Sequence, residues 1–383
     1  MDFALNEEQR MIQESAREFS KKELAPNAAE ADEKHLFPRK AWKKLSKLGF
    51  PGLTVPEEYG GSGNDYVSMV AVMEEFAKGC VGIAGTYSVH LTTLSMLLKN
   101  ATEEQLKKYL PDMVSGKKIG ALGLTEPDAG SDLGPLKTTA ELKGDKYVIN
   151  GNKVFITTAG EAGIYLVYAR TSPGQNGLTA FIVEKGAKGF EFGKIENKMG
   201  YNASPTGELI FKNCEVPVNQ RLGKEGNGFK MVLEGLNYGR ISVGTLGIGI
   251  AQAAFECCLA YVKQREQFGR KIGSFQGIQW MLADMATSIS ASRLLLYQAA
   301  YMADKGIHFI KEASMAKCYA TDTAMKVTTD AVQLLGGYGY LKDYPVERYM
   351  REAKIFQIVE GTNQIQRTSI GRELMGRSSR IYP

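Results

Sequence analysis

Between Asp2 and about Ile119 the apolar residues recur with a helical period. In MIQESAREFSKKEL, Met11, Ile12, Ala16 and Phe19 share one helix face. The stretch PEEYGGSGND is rich in turn formers and separates helical segments. TEEQLKKYLPDMVSG predicts a helix capped by Thr102, with Glu104 in its first turn. After Gly120 the period shortens. KYVINGNKVFITT reads as two β-rich runs, and Asn150-Gly151 predicts a hairpin between them. IYLVYAR, TAFIVE, FEFGKI and GELIFKNCEV follow at short intervals, which predicts a β-sandwich or barrel. From about Gly226 the pattern is helical again. WMLADMATSISASRLLLYQAAYMA and ATDTAMKVTTDAVQLL carry apolar residues at i, i+3 and i+4, and four such helices make a bundle. The expected class is a multidomain α+β protein with a helical domain (1–119), a β domain (120–225) and a helical bundle (226–383).

Composition adds limits rather than an identity. The 383 residues, 44% of them hydrophobic, can bury a sizeable core in two or three subdomains. Lysine plus arginine minus aspartate plus glutamate is 47 − 42 = +5, spread along the chain. That balance admits an anionic small molecule and gives no nucleic-acid signature. The uncharged run from Ile241 to Phe255 is too short for a membrane span and reads as a buried helix. The N-terminus has neither a basic nor an apolar leader region, so no signal peptide and no membrane association are expected. Five cysteines, an odd number without a CxxC pair, argue against a disulfide framework and for a reducing, cytoplasmic setting. Three scattered histidines make a histidine metal site or a Ser-His-Asp triad unexpected, and no metal is expected.

The 42 glycines invite a nucleotide-binding reading that the spacing rejects. Gly247 and Gly249 lie within a helical pattern, and Gln252 holds the place of the third glycine of a dinucleotide fingerprint. No P-loop is present.

Three segments carry more. They are Gly123-Leu124-Thr125-Glu126-Pro127-Asp128-Ala129-Gly130-Ser131-Asp132; then Gln333 to Tyr340, followed by Asp343, Arg348 and Glu352; then Val359-Glu360-Gly361-Thr362-Asn363-Gln364. In this order, on an α-β-α chain, they resemble the acyl-CoA dehydrogenase family over nearly the whole length. One departure is Pro135, where the first segment usually has a small residue; a loop proline costs it little.

The resemblance implies FAD, an acyl-CoA substrate, a homotetramer and electron delivery to an electron-transfer flavoprotein. It implies removal of an α-proton by Glu360 and passage of the β-hydrogen as hydride to flavin N5. Desolvation among Ile358, Val359 and Gly361 would strengthen that carboxylate as a base. Taken alone, Glu360 reads as an ordinary residue before a helix, with Asn363 and Gln366 as a capping box. Some relatives place the base on the helix around LNYGR, and the corresponding residue here is Gly239, without a carboxylate. The thioester oxygen is expected to meet the backbone N–H of Glu360, with Gly361 allowing close approach.

By the same resemblance Leu122, Leu124, Thr125 and Ser131 line one side of the flavin and Phe155, Ile156 and Thr157 the other. Phe155 stands where many relatives have tryptophan. Arg265, Phe268, Phe275 and Gln276, with Gln333, Gly336 and Gly337, hold the adenosine and pyrophosphate, partly for a neighbouring subunit. Thr362 and Gln364 open the last helix, whose N-terminus suits a phosphate. Arg240, Asn237 (an aspartate in many relatives) and Ser131 are expected on CoA.

The acyl group is the least constrained. Val359, commonly tyrosine in short- and medium-chain relatives, leaves room for a branched, cyclic or aromatic group. Ala84 stands where glutaryl-type relatives have an arginine, though His90 or Tyr87 offers a substitute for a dicarboxylic substrate. An oxygen-reactive acyl-CoA oxidase is the alternative within the fold, and a short acyl chain is the default.

Overall fold

The computed structural model describes residues 4–376, so the outer limits at 1 and 383 lie outside the described residues. The N-terminal helices are α1 (Glu7–Phe19), α2 (Ala28–Glu33), α3 (Arg39–Lys47), α4 (Tyr66–Gly79), α5 (Val81–Asn100) and α6 (Glu103–Val114). Asn6 caps α1 in a reciprocal box with Gln9, and Thr102 caps α6 as expected, closing its box with Gln105. The turn-rich stretch lies between α3 and α4.

Strands β1 (Gly120–Gly123), β2 (Thr139–Lys143), β3 (Lys146–Thr157), β4 (Ile164–Arg170), β5 (Leu178–Glu184), β6 (Phe190–Ile195), β7 (Thr206–Pro217) and β8 (Arg221–Leu222) form one sheet. Its order is β6-β7-β3-β2-β4-β5-β8, with β1 parallel beside β4. The expected hairpin at Asn150-Gly151 is not there. The chain reverses at Gly144, where φ is 64°, between β2 and β3, and Asn150-Gly151 stays inside β3 at a register shift against β7. Close packing explains the pair: a β-carbon at 151 would sit 2.5 Å from Thr138 Oγ1, and Asn150 Oδ1 accepts the Asn213 N–H at 2.7 Å.

The C-terminal part holds α7 (Gly228–Val262), the hairpin β9 (Glu266–Gln267) and β10 (Arg270–Lys271), then α8 (Gln276–Asp304), α9 (Ile310–Leu335), α10 (Val346–Ala353) and α11 (Asn363–Leu374). The run from Ile241 lies within α7, which is longer than expected. By length and composition α5 and α7 could each cross a membrane, but 89% and 67% of their most apolar windows are buried by the protein, as in core helices.

One junction ties the three parts together. Buried Asp32 on α2 accepts Arg351 Nη2 of α10 at 2.9 Å and the Asn202 N–H of the β6–β7 loop at 3.4 Å. Arg351 Nη1 also donates to Met199 O of that loop at 3.0 Å.

Candidate active site

Between α10 and α11 the chain turns through two consecutive left-handed residues, Glu360 (φ 56°) and Gly361 (φ 84°). That conformation is uncommon for a glutamate and persists where surroundings over-determine it. The surroundings are visible. Buried Gln366 donates from Nε2 to Glu360 O at 3.0 Å and to Gly361 O at 2.8 Å. Lys317 of α9, fully buried, donates from Nζ to Gly361 O at 2.9 Å and to Asn363 Oδ1 at 2.8 Å. Thr362 caps α11 by accepting the Ile365 N–H. The expected capping box of Asn363 and Gln366 is therefore not formed: Gln366 points back to hold the turn, and Asn363 binds Asp322 and Thr321.

The Glu360 side chain keeps some exposure, but its Oε2 is shut off from solvent and has no hydrogen-bond partner. Burial lifts its carboxyl to about 7, while the Arg240 and Lys317 charges pull it back. Burial lowers those two cations to about 10 and about 8. Arg240 donates to Asn237 Oδ1 at 2.8 Å and Ser314 Oγ at 3.1 Å, and its Nε is buried without a partner. Arg240 and Asn237 thus lie buried beside the candidate base and not on an exposed basic surface. Gly239 faces the same carboxylate. Among the described residues no acceptor takes the Glu360 backbone N–H. The arrangement is a desolvated carboxylate beside a free donor, which suits removal of a proton next to a polarised carbonyl.

On the sheet, Leu122 lies in β1 and Leu124 and Thr125 follow it, beside residues 153–157 of β3. Val154 N donates to Thr125 O at 2.9 Å, and buried Lys153 Nζ bonds Leu124 O at 3.1 Å and Glu126 Oε1 at 2.7 Å. A register shift between Lys153 and Ile156 puts Phe155 at φ 59° and turns its ring outward, 63% exposed. Ile156 is buried, so only its backbone can meet a ligand, while Thr157 is half-buried and Ser131 exposed. Pro135 is exposed in the same loop.

The remaining candidates gather elsewhere. Arg265, Phe268, Phe275, Gly336 and Gly337 line a cavity of about 700 Å³ at the end of the bundle, and Gln276 and Gln333 are exposed on the adjoining helices. A β-carbon at Gly336 or Gly337 would meet no atom within 4 Å, which leaves their backbone open to a ligand. Thr362 and Gln364 line a second cleft of about 470 Å³ with Asp322 and Arg367. Along α9, Asp322 and Gly336 are about 21 Å apart, so one chain presents two separate half-sites. The substitutes for a distal cation fail: Tyr87 OH donates to Phe50 O at 2.9 Å, and His90, buried against Trp42, is lowered to about 4 and stays neutral.

Two supports of the base, Lys317 and Gln366, do not stand out in the sequence as functional. For Lys317 a signal exists: it shares the apolar face of α9 with Ala313, Ala316, Ala320 and Ala324, where a lysine needs partners.

Residues 6–117, 121–214 and 226–375 match the N-terminal, middle and C-terminal domain models of acyl-CoA dehydrogenase. Acryloyl-CoA reductase (NADH) of Anaerotignum propionicum is 47% identical over 381 residues, covering 98% of this chain and 97% of the relative. Butyryl-CoA dehydrogenase from Megasphaera elsdenii superposes with a TM-score of 0.96 at 44% identity, covering 98% of this chain and all of that one. A chain from the structure of the electron transferring flavoprotein of Acidaminococcus fermentans superposes at 0.97 with 51% identity, again over 98% of this chain and all of the other. Domain order and fold agree, and the chain belongs to the acyl-CoA dehydrogenase family.

Proposed function

We propose that Glu360 is the base of an acyl-CoA dehydrogenase acting on a short acyl chain. The enzyme oxidises the Cα–Cβ bond of an acyl-CoA thioester to the 2-enoyl-CoA, uses FAD, works as a homotetramer and delivers electrons to an electron-transfer flavoprotein. The observation that carries the role of Glu360 is its unpartnered, solvent-excluded Oε2 on a turn pinned from behind by Gln366 and Lys317.

The residues present fit FAD. Phe155 offers an outward ring beside Leu122, Leu124, Thr125 and Thr157, and the open Gly336-Gly337 backbone with Arg265, Phe268, Phe275, Gln276 and Gln333 offers a cradle for the nucleotide end. Ser131, Thr362 and Gln364 complete the contacts we assign. Bound FAD supplies the acceptor at N5 for the β-hydrogen and its electron pair. The chain's own groups do the rest. Glu360 takes the α-proton onto its carboxylate, and its backbone N–H, with Gly361 beside it, binds the thioester oxygen as negative charge builds there. Arg240 and Lys317 keep a fraction of the base ionised near neutral pH. Arg240 and Asn237 face the acyl-CoA, and Val359 borders the acyl group.

The two half-sites fit a cofactor shared between copies. Phe268, 93% exposed, and Trp280, 62% exposed, sit at the α8 end and suit burial by a second subunit. A cytoplasmic location and domain limits at 119/120 and 225/226 belong to the same proposal; five free cysteines support the first. The test is anaerobic flavin bleaching against a panel of acyl-CoA thioesters. Fast bleaching by butyryl-CoA is expected, and no bleaching by any thioester rejects the reading.

A further inference from the structure

The β6–β7 loop carries Tyr201 in a left-handed conformation, φ 63°, that a bulky aromatic residue adopts only under constraint. The constraints come from every side. Asn202 N donates to Asp32, Arg351 holds Met199 O, Lys198 Nζ donates to Ser204 O at 3.0 Å, and Thr158 N donates to Pro205 O at 2.7 Å. The last bond ties the loop to the end of the strand that carries Phe155. The effect is to drive the Tyr201 ring inward until it is 7% exposed, edge-on to Phe356 with centroids 6.0 Å apart. Phe356 lies four residues before Glu360, and Tyr201 is near enough to that carboxylate for its charge to act on the phenol.

The hydroxyl ends against α5. A β-carbon built on Gly85 would fall 1.5 Å from Tyr201 Oη, so the phenol occupies the space that any side chain at 85 would fill. Ser204 lies within reach of the hydroxyl, and Ser204 Oγ meets Thr86 Oγ1 of α5 at 3.2 Å. The Ser204 and Thr86 hydroxyls, both fully buried, back the phenol between α5 and the β6–β7 loop. An acyl chain directed past Glu360 toward α5 would meet the phenol.

We propose that Tyr201 is a specificity-determining residue whose phenol closes the acyl end of the pocket against Gly85 and restricts the substrate to short, straight acyl chains. The assignment rests on the dehydrogenase reading above and adds the residue that sets chain length. Wild type, Tyr201→Phe and Tyr201→Ala, each isolated with FAD, are compared by anaerobic flavin bleaching with butyryl-CoA and octanoyl-CoA. One methylene of fit in an apolar pocket is worth about 10–200-fold in kcat/KM. Tyr201→Ala should therefore raise the octanoyl-to-butyryl ratio at least about tenfold, and Tyr201→Phe should move it the same way by less. A ratio unchanged in flavin-loaded variants, with wild type active, overturns the proposal and leaves the dehydrogenase reading standing. If Tyr201→Ala does not retain flavin, Tyr201→Phe decides alone, since it keeps the ring and removes only the atom facing Gly85. A wild type that bleaches with neither these nor any other thioester removes both readings. A tyrosine that served only to hold the loop would change rates with both substrates alike.

Discussion

A β-carbon on Gly239 would lie 2.6 Å from Glu360 Oε2, so helix α7 comes directly against the carboxylate of the 360–361 turn. The three atoms nearest to a methyl group there all belong to the far end of the glutamate. Gly239→Ala should fold normally, with a melting temperature within a few degrees of wild type, because the carboxylate can swing away. Flavin reduction by butyryl-CoA should fall at least about tenfold, since a shift near 1 Å at the reacting group costs up to about a hundredfold. Full activity in the variant would show that the carboxylate position does not matter.

Glu360→Gln preserves the shape of the side chain and removes its basicity. FAD and acyl-CoA binding should persist, while reductive bleaching falls by several orders of magnitude, beyond the roughly 10²–10⁴-fold typical of auxiliary proton transfer. Stopped-flow absorbance measures both. Retention of more than a tenth of the wild-type rate would falsify the assignment.

The pH dependence has two opposite signs. Catalysis needs the carboxylate, so kcat/KM should rise with pH and level off above about 7. Stability should run the other way. A carboxyl held at about 7 in the folded state, against 4.5 unfolded, favours the fold fully below 4.5 and loses that advantage as pH rises through 7. Above pH 8 the cost is on the order of 3 kcal/mol, and Glu360→Gln should escape it. Melting curves of the two proteins should coincide near pH 4 and diverge, variant higher, by pH 8; parallel curves would contradict the buried carboxylate.

Lys317→Met removes the donor to Gly361 O and Asn363 Oδ1 and a positive charge near Glu360. Losing hydrogen bonds to buried acceptors should cost about 1–3 kcal/mol of stability. A purely structural lysine would do no more. A positioning lysine should also move the midpoint of the kcat/KM profile to higher pH, because the carboxylate loses a cation that favours its charged form.

The separation of the two half-sites along α9 predicts that cofactor retention depends on assembly. Light scattering should give a tetramer, and dilution that breaks it should release FAD in parallel. A monomer with full occupancy would refute the shared site.

The helices and the sheet segment were legible because burial leaves a periodic trace. Ile12, Ala16 and Phe19 predict α1 through spacing, although Met11 of the same set is exposed, and the Thr102 cap predicts the start of α6. Asn150-Gly151 misled because the pair that favours a two-residue turn also permits close strand approach, and the choice is made by Thr138, distant in the local pattern. Glu360 was legible only through the resemblance. Its strained backbone is enforced by Gln366 and by Lys317, 43 positions away from it, and no local pattern encodes a donor supplied from another helix. Arg240 was read as a CoA contact because its charge is visible in the sequence, whereas its burial and its pull on Glu360 are not.

The Asp32 junction bears on how such a chain can be recombined. Asp32 of an N-terminal helix holds Asn202 of a β loop and Arg351 of a C-terminal helix, and the loop so fixed is the one that carries Tyr201. Segments that look modular along the sequence are therefore not interchangeable parts. A chimera that takes its helices from one relative and its sheet from another inherits a buried carboxylate with foreign partners, and the mismatch lands on the acyl pocket. Substrate preference and domain docking are, in this molecule, one inherited character.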